Sequence, residues 1–479
     1  MTRIVFFLLF SIFTSEVTAQ FMFRRTYGLG SINEGRCVIQ SSDNGYVVCG
    51  STTPYSGGQT DFYLLKTDST GIPEYQKSFG SPGIDQSFAL VQLPDSGFLL
   101  AGYSNGYSSN NDYDAALIRT DKNGNSLWIK TFGTGNWDFI YDIKPTPDGN
   151  FILAGNSYGS GNGFSSGYIV KVDTGGNVLW HRFIEQNQQV ILKQIAVRSN
   201  GSFVVCGNVS PTVSYPADYF IALLNTQGDT TQTKIINNGR HESFNAIGLF
   251  SNGDFALAGN SIDSAQQNNM DEVIARLDTN LNVAWLNVTP KPDYDDCNDL
   301  IVYNDTLVTV GSTTSDGNGG YDFHIVFYYS NGAWISPKAN TYGKSENEYC
   351  YHIQYTNDKG FILVGTSTSM GPGQQSIFLV KSDSILSFDS NVTIDVRETN
   401  DKIHFDVYPN PSSGILTVHS KISRNDMIVK LYTAEGRLVN QMNHVEFPFS
   451  FSIEHLMNGV YFLDIISDKF IEKKMFLKQ

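Results

Sequence analysis

The chain has 479 residues, among them 44 glycines, 32 phenylalanines and 25 tyrosines, while charged residues make up only 16%. That is a strand-and-turn composition, poor in the residues that sustain surface helices, with room for two or three domains. The formal net charge of −15 argues against nucleic acid as a partner, because a phosphate backbone carries the same sign.

The N-terminus reads as a leader. Met1-Thr2-Arg3 supplies one positive charge, an apolar run follows from Ile4 to Phe13, and Val17-Thr18-Ala19 ends in a small-x-small pattern. This predicts a signal peptide over residues 1–19, cut before Gln20. A membrane span needs about 20 apolar residues, and neither this run nor any later one reaches that length. The mature chain is therefore expected to be exported without a transmembrane segment.

A repeated unit fills the next 370 or so residues. Aligned on the glycine that ends an apolar run, the copies fall at Gly50, Gly102, Gly155, Gly207, Gly259, Gly311 and Gly365, with spacings of 52, 53, 52, 52, 52 and 54. Each copy offers four strand-like pieces, which in the third are Phe139 to Lys144, Asn150 to Ala154, Tyr168 to Val172 and Val178 to Phe183. Tight turns such as Asp95-Ser96-Gly97 and Asn123-Gly124 join them in antiparallel hairpins. The middle pieces are apolar at consecutive positions, the pattern of strands covered on both faces. Four-stranded units, covered on both faces and repeated seven times, predict an all-β, seven-bladed β-propeller over residues 20–389.

The seventh copy lacks the aromatic outer strand that Trp128, Trp180, Trp285 and Trp334 mark elsewhere. Phe23-Arg24-Arg25-Thr26-Tyr27-Gly28 matches Trp128-Ile129-Lys130-Thr131-Phe132-Gly133, so the N-terminal strand is expected to complete the last blade. That would remove two open sheet edges.

Little in the repeats points to catalysis. The histidines of this region, His181, His241, His324 and His352, show no metal spacing, and no HExxH is present. A G-x-S-x-G match at Gly163 to Gly167 falls in a loop, where a nucleophile elbow needs a strand, turn and helix. Ser41-Ser42-Asp43-Asn44-Gly45 matches half of a sialidase Asp box, at the wrong turn. The five cysteines contain no CxxC pair, and Cys49 and Cys206 occupy a small core position that alanine fills in other copies.

Two charged positions recur. Glu34, Asp85, Asp138, Glu242, Asp295 and Glu348 open the innermost strand, with Gln189 in the fourth copy. A ring of carboxylates there is a candidate for Ca²⁺ or a cationic ligand; the competing reading is that each accepts backbone hydrogen bonds in its own turn. Asp61, Asp114, Asp218, Asp271 and Asp322 precede the third strand, with Ser166 and Ser376 in the other two copies, and in five copies a base stands five residues on: Lys66, Arg119, Lys171, Arg276 and Lys381. Arg119 is expected to lie over Trp128 as a cation–π pair. No other cofactor is indicated.

The loops between second and third strands gather on one face and are rich in Ser, Gly, Asn and Tyr. Tyr55, Tyr107, Tyr113, Tyr158 and Tyr215 are the candidate ligand-binding residues, suited to stack on a glycan or to contact a protein.

The period and the small-residue-Gly ending are similar to kelch propellers, but the kelch double glycine is absent. The copies more closely resemble the propeller-like repeats of proteins secreted by Bacteroidetes, a likeness that spans about residues 21–389 and implies a fold. Residues 390–403 read as a linker. Beyond it, Val407-Tyr408-Pro409-Asn410-Pro411-Ser412-Ser413-Gly414, Leu431 to Arg437 with Gly436, and Leu456 to Phe462 with Gly459 and Tyr461 form spaced motifs. They resemble the C-terminal sorting domain of the type IX secretion system. Residues 404–479 also read as a small β-sandwich from their short apolar strands between Pro, Asn and Gly turns. The resemblance implies the type IX machinery as partner and an extracellular or outer-membrane surface location. The reading for the whole chain is an exported binding module of unnamed ligand, with a glycan-active enzyme and a purely structural surface protein as alternatives.

Overall fold

A computed structural model of the protein describes residues 22–53, 59–108, 112–161, 163–212, 216–263, 269–371, 373–384, 386, 393–394, 405–420, 427–433, 437–445, 448–466 and 471–479. The expected leader, Tyr55, Tyr215, Gly436 and most of the expected linker lie outside these residues. The chain divides into two compact units, Met1–Arg397 and Glu398–Gln479. Among the described residues, no helix is long and apolar enough to cross a membrane.

The first unit is all-β. Its strands form antiparallel four-stranded sheets in which each strand pairs with the next in sequence. The first strands of successive sheets are Ile32–Gln40, Asp85–Gln92, Asp138–Pro145, Gln189–Val197, His241–Leu249, Asp299–Tyr303 and Glu348–Tyr355. Left-handed residues seat the hairpin turns, among them Asn44 (φ 66°), Ser96 (φ 66°) and Gly149 (φ 80°), which is the conformation the Asp/Asn/Gly clusters favour. The middle strands Phe151–Ser157 and Ser166–Val172 are buried throughout, while the outer strand Val178–Ile184 is half-exposed.

In the sheet that begins at Glu348, the outer place is filled from the far end of the chain. Phe23–Tyr27 pairs antiparallel with Ser376–Ser382, with Phe23 opposite Lys381 and Tyr27 opposite Ile377. Thr393–Ile394 adds a short parallel strand beyond it. The Tyr27 hydroxyl donates to the Gly71 carbonyl at 2.6 Å, fixing this strand to the sheet of Ile32–Phe79 as well.

Apolar clusters fill the spaces between consecutive sheets, and each fully buried Leu, Ile or Phe contributes roughly 1.5–3 kcal/mol. One cluster joins Val47, Cys49 and Leu64 of the first sheet to Leu90, Leu100 and Ile118 of the second. Another joins Ile362, Val364 and Leu379 of the last to Val38, Val48 and Leu65 of the first.

The recurrent base of the third strand does not stack on the outer-strand aromatic as expected. Arg119 is opposite Trp128 in register, but its guanidinium turns to the Thr120 carbonyl and to Asp95. The same clamp recurs as Lys66–Asp43 (2.9 Å), Lys171–Asp148 (2.5 Å), Arg276–Asp254 (2.7 Å) and Lys381–Asp358 (2.9 Å). Each ties the turn between strands one and two to strand three. A charged partner with two hydrogen-bond acceptors outbids a ring face for a guanidinium. Trp128 and Trp180 are instead covered by Lys130 and Arg182 at 5.1 and 5.3 Å.

The second unit holds two sheets over one core. Phe405–Tyr408, Ile415–Ser420 and Phe449–Ser452 form the smaller, and Leu438–Val445, Met427–Thr433, Gly459–Ile466 and Ile471–Lys478 the larger. Leu416, Val418, Val429, Leu431, Leu463 and Phe476 are buried between them.

Candidate functional site

The glycine that sets the repeat has a geometric task. A Cβ on Gly102 would stand 1.9 Å from the Gln86 carbonyl oxygen, and one on Gly155 would stand 1.8 Å from that of Phe139. The first strand bulges beside that close approach: the register slips between Ser87 and Ala89, between Ile140 and Asp142, and likewise in four other sheets. Each bulge inserts one residue, re-aiming a side chain. The inserted residues are Arg36, Phe88, Tyr141, Lys193, Asn245 and Tyr351.

These six side chains, with Asn298 of the sixth sheet, line one cavity of about 250 Å³. Cys37, Asp142, Gln194 and His352, which follow bulges, and Asp299, which follows Asn298, line it as well. Bulge and cavity are thus one design, marked in the sequence by the periodic glycine.

Several lining groups stitch one first strand to the next. Asp142 Oδ2 accepts from Ile195 N at 3.0 Å, Gln194 Oε1 from Ile247 N at 2.6 Å, and Asp299 Oδ2 from Ile353 N at 3.0 Å. His352 Nδ1 accepts from Val38 N at 3.4 Å. Burial raises the Asp142 carboxyl, opposed by the Lys144 ammonium 2.9 Å away. Burial works against a charged His352, but Cys37 and Asp299 push it up to about 9.

Two cations stand at the bulge level. Arg36 is salt-bridged to Glu34 at 2.6 Å and lies over the Tyr351 ring at 4.1 Å and Phe88 at 5.6 Å. Lys193 lies over Tyr141 at 5.3 Å, forms no salt bridge among the described residues, and is lowered by burial.

From Phe88 and Tyr141 a run of aromatic contacts leads outward. Phe88 touches Tyr103 (5.5 Å between centroids) and Tyr141 (5.3 Å), and Tyr103 touches Tyr113 (5.5 Å) and Phe139 (4.9 Å). Tyr113 touches Trp137 (5.7 Å), which touches Tyr158 (5.9 Å). Trp137 is 52% exposed and Tyr158 37%. Seven rings thus run from loop surface to cavity. Of the tyrosines singled out in the sequence, Tyr113 and Tyr158 belong to this run, and Tyr107 stands exposed with its hydroxyl donating to the Gly80 carbonyl at 2.7 Å. A second aromatic series, Tyr294–Tyr321–Tyr349, has centroid spacings of 4.9 and 4.8 Å.

Phe88, Trp137, Tyr141 and Lys193 escaped sequence reasoning. The signal was there: each bulge residue follows directly the residue paired with a periodic glycine, as Phe88 follows Ser87 opposite Gly102.

The recurrent carboxylates take a different place. Asp85 accepts from Ser81 N (2.7 Å) and the Ser104 hydroxyl, and Glu348 from Lys344 N (2.8 Å) and Ser367 Oγ (2.7 Å). Asp138 accepts from Thr134 N, Glu242 from Asn238 N, and Asp295 from Thr313 Oγ1 and the Lys291 ammonium. Each ties the end of the preceding outer strand to the start of the first strand. Register corrects two members of the series. In the first sheet this position is Asn33, whose Oδ1 accepts from Leu29 N, Gly30 N and Thr52 Oγ1; Glu34, one residue on, pairs with Arg36. In the fourth it is buried Val190, not Gln189, since Val190 stands three residues before the inserted Lys193 as Asp85 does before Phe88. Among the described residues, no three His, Cys, Asp or Glu side chains converge to hold a metal ion.

In the second unit, Asn410 holds the last strand: its Nδ2 donates to the Met475 carbonyl at 3.2 Å and its Oδ1 accepts from Leu477 N at 2.9 Å. Tyr408, Pro409 and Pro411 flank it, with cis peptide bonds before both prolines. The Gly414 carbonyl accepts from Ile453 N at 2.8 Å, and Gly459 opens the strand in which Tyr461 stacks on Phe476 at 5.6 Å.

The chain is similar to several solved structures. Sqt1 from Chaetomium thermophilum shares 11% identity over 76% of this chain and 99% of its own, with a TM-score of 0.43. BamB from Moraxella catarrhalis shares 10% over 74% and 99%, with 0.40. YCF48 bound to D1 peptide shares 10% over 77% and 97%, with 0.45. No curated protein matches the chain. Residues 406–478 match the family described as the secretion system C-terminal sorting domain, so the chain ends in an export tail of the kind handled by the type IX secretion machinery.

Proposed function

We propose that the protein is an exported, surface-acting binding module whose first unit is a closed seven-bladed β-propeller and which takes a glycan at the aromatic mouth of its cavity. Export rests on the sorting tail. Ring closure is supported by Phe23–Tyr27 in the last sheet, by the apolar cluster joining last sheet to first, and by the His352–Val38 bond between their first strands.

The observation that carries the binding reading is the run of rings from Trp137 and Tyr158 to Phe88 and Tyr141. Aromatic faces pack against the C–H faces of sugar rings, and the adjoining amides and cations (Asn245, Asn298, Lys193) supply hydrogen bonds to hydroxyl or carboxylate groups. A solvent-exposed tryptophan at the outer end of such a run is an anchor that water does not reward.

A glycan array probed with the mature chain and with Trp137→Ala tests this. Binding to a defined set of glycans is expected, and the substitution should weaken it at least tenfold, about 1.4 kcal/mol. Wild-type chain that captures no glycan, or a Trp137→Ala chain that binds equally well, would contradict the assignment. Turnover of a captured glycan would replace binding by catalysis.

A further inference from the structure

Of the five cysteines, Cys37 and Cys49 alone among the described residues are direct partners on adjacent strands: Cys37 of Ile32–Gln40 faces Cys49 of Tyr46–Thr53 across an antiparallel ladder. Both thiols are free, both are buried, and both belong to the same apolar cluster between the first and second sheets. Their side chains therefore share one face. Cys206, by contrast, faces Gln194, and Cys350 faces Gly365.

Directly opposed residues of an antiparallel pair have Cβ atoms about 4.5–5.5 Å apart, and a disulfide needs about 3.5–4.5 Å. The bulge at Arg36, immediately before Cys37, supplies local slack for that closure. The two thiols are not equivalent. Cys37 lines the cavity beside His352, whereas Cys49 is 0% exposed and packed among Val47, Phe62 and Leu64.

We propose that Cys37 and Cys49 are a redox-active dithiol, with Cys37 as the attacking sulfur and Cys49 as the resolving one, that closes to a cross-strand disulfide in the cavity wall. The oxidant is a small-molecule disulfide. The Cys37 thiolate attacks one of its sulfurs, forming a mixed disulfide and expelling one thiolate, which takes up the proton Cys37 gave up. The Cys49 thiol then loses its proton and attacks the Cys37 sulfur, expelling the second small thiol. The protein gives up two electrons and two protons, and the small disulfide becomes two thiols. The environment favours this order. A hydrogen bond from Cys49 holds the Cys37 thiol well below its ordinary value against its burial, with His352 assisting, while burial and Cys37 raise Cys49.

The test uses the full mature chain, purified reduced and then exposed to oxidised glutathione. Chymotrypsin cuts after Tyr46, between the two cysteines, so non-reducing mass spectrometry reads the bond directly. The expected result is a linked peptide pair joining Cys37 to Cys49, abolished by reduction, with Cys206, Cys297 and Cys350 still free. Cys49→Ser is expected to stop at a glutathione adduct on Cys37, and Cys37→Ser to give no adduct at Cys49. Absence of the linked pair in the wild-type chain, or links that recruit the other cysteines, would overturn the proposal. The wild-type reading stands whether or not either variant folds. An adduct on Cys49 in Cys37→Ser would overturn the assigned order of attack.

Discussion

At the scale of single residues, Glu242 shows what the recurrent carboxylates do. It is 0% exposed and accepts from Asn238 N at 3.1 Å. Burial, with Asp218 nearby, raises its carboxyl to about 7, although the Asn238 hydrogen bonds work the other way. A carboxyl raised above its unfolded value of 4.5 favours the folded state while it is protonated. That contribution is complete below about pH 4.5 and is lost as pH rises through about 7. Glu242→Gln cannot ionise, so the variant should match the wild-type chain near pH 4.5 and exceed it at pH 8 by up to about 3 kcal/mol. Thermal melts across that range check it; a constant difference would show that Glu242 does not titrate with folding. The position was legible in the sequence, but its membership was not wholly so. Asn33 and Val190 hold it in two sheets, where Glu34 and Gln189, the residues the sequence pattern picks out, lie one place to either side, and spacing alone does not reveal such a slip.

At the scale of the strand, the bulge is the unit that matters. The periodic glycine, used in the sequence to count copies, lies where a first-strand carbonyl comes too close for any side chain. Gly155→Ala would place a methyl 1.8 Å from the Phe139 carbonyl oxygen, so the strand or its bulge must shift. A loss of about 1–3 kcal/mol is expected, with Tyr141 displaced from the cavity. Chemical denaturation gives the first and a crystal structure of the variant the second. Unchanged stability would mean that the approach is relieved at no cost. The N-terminal strand offers a second test. Phe23 is 2% exposed and packs with Tyr46 at 5.7 Å. Phe23→Ala should cost about 3–5 kcal/mol, a large penalty for a strand on the outer side of a sheet, and equilibrium unfolding would detect it. A surface-like loss of a few tenths would contradict its role in sealing the last sheet to the first.

At the scale of the molecule, the four-stranded antiparallel repeat, its strand order and the displaced N-terminal strand were readable because each follows from a local rule applied in copy after copy. Hairpin turns, doubly covered middle strands and a missing outer strand need no tertiary information. The cavity was not readable in the same way. Arg36, Phe88, Lys193 and Asn245 are unlike one another, and the bulge brings them to one place. On the reading proposed above, that variety suits ligand recognition, since scaffold positions repeat and contacts to a ligand do not. Of the loop tyrosines singled out in the sequence, Tyr113 and Tyr158 join the aromatic run, whereas Trp137 and Phe139 lie at the start of a first strand, outside those loops.

Hydrogen–deuterium exchange of the mature chain, with and without a glycan that it captures, tests the mouth assignment most directly. Protection is predicted in the segments 103–108, 112–114 and 134–141, where Tyr103, Tyr113, Trp137 and Phe139 meet. Protection confined to the tight turns between first and second strands, such as 41–45 and 93–97, or to the sorting tail, would contradict it.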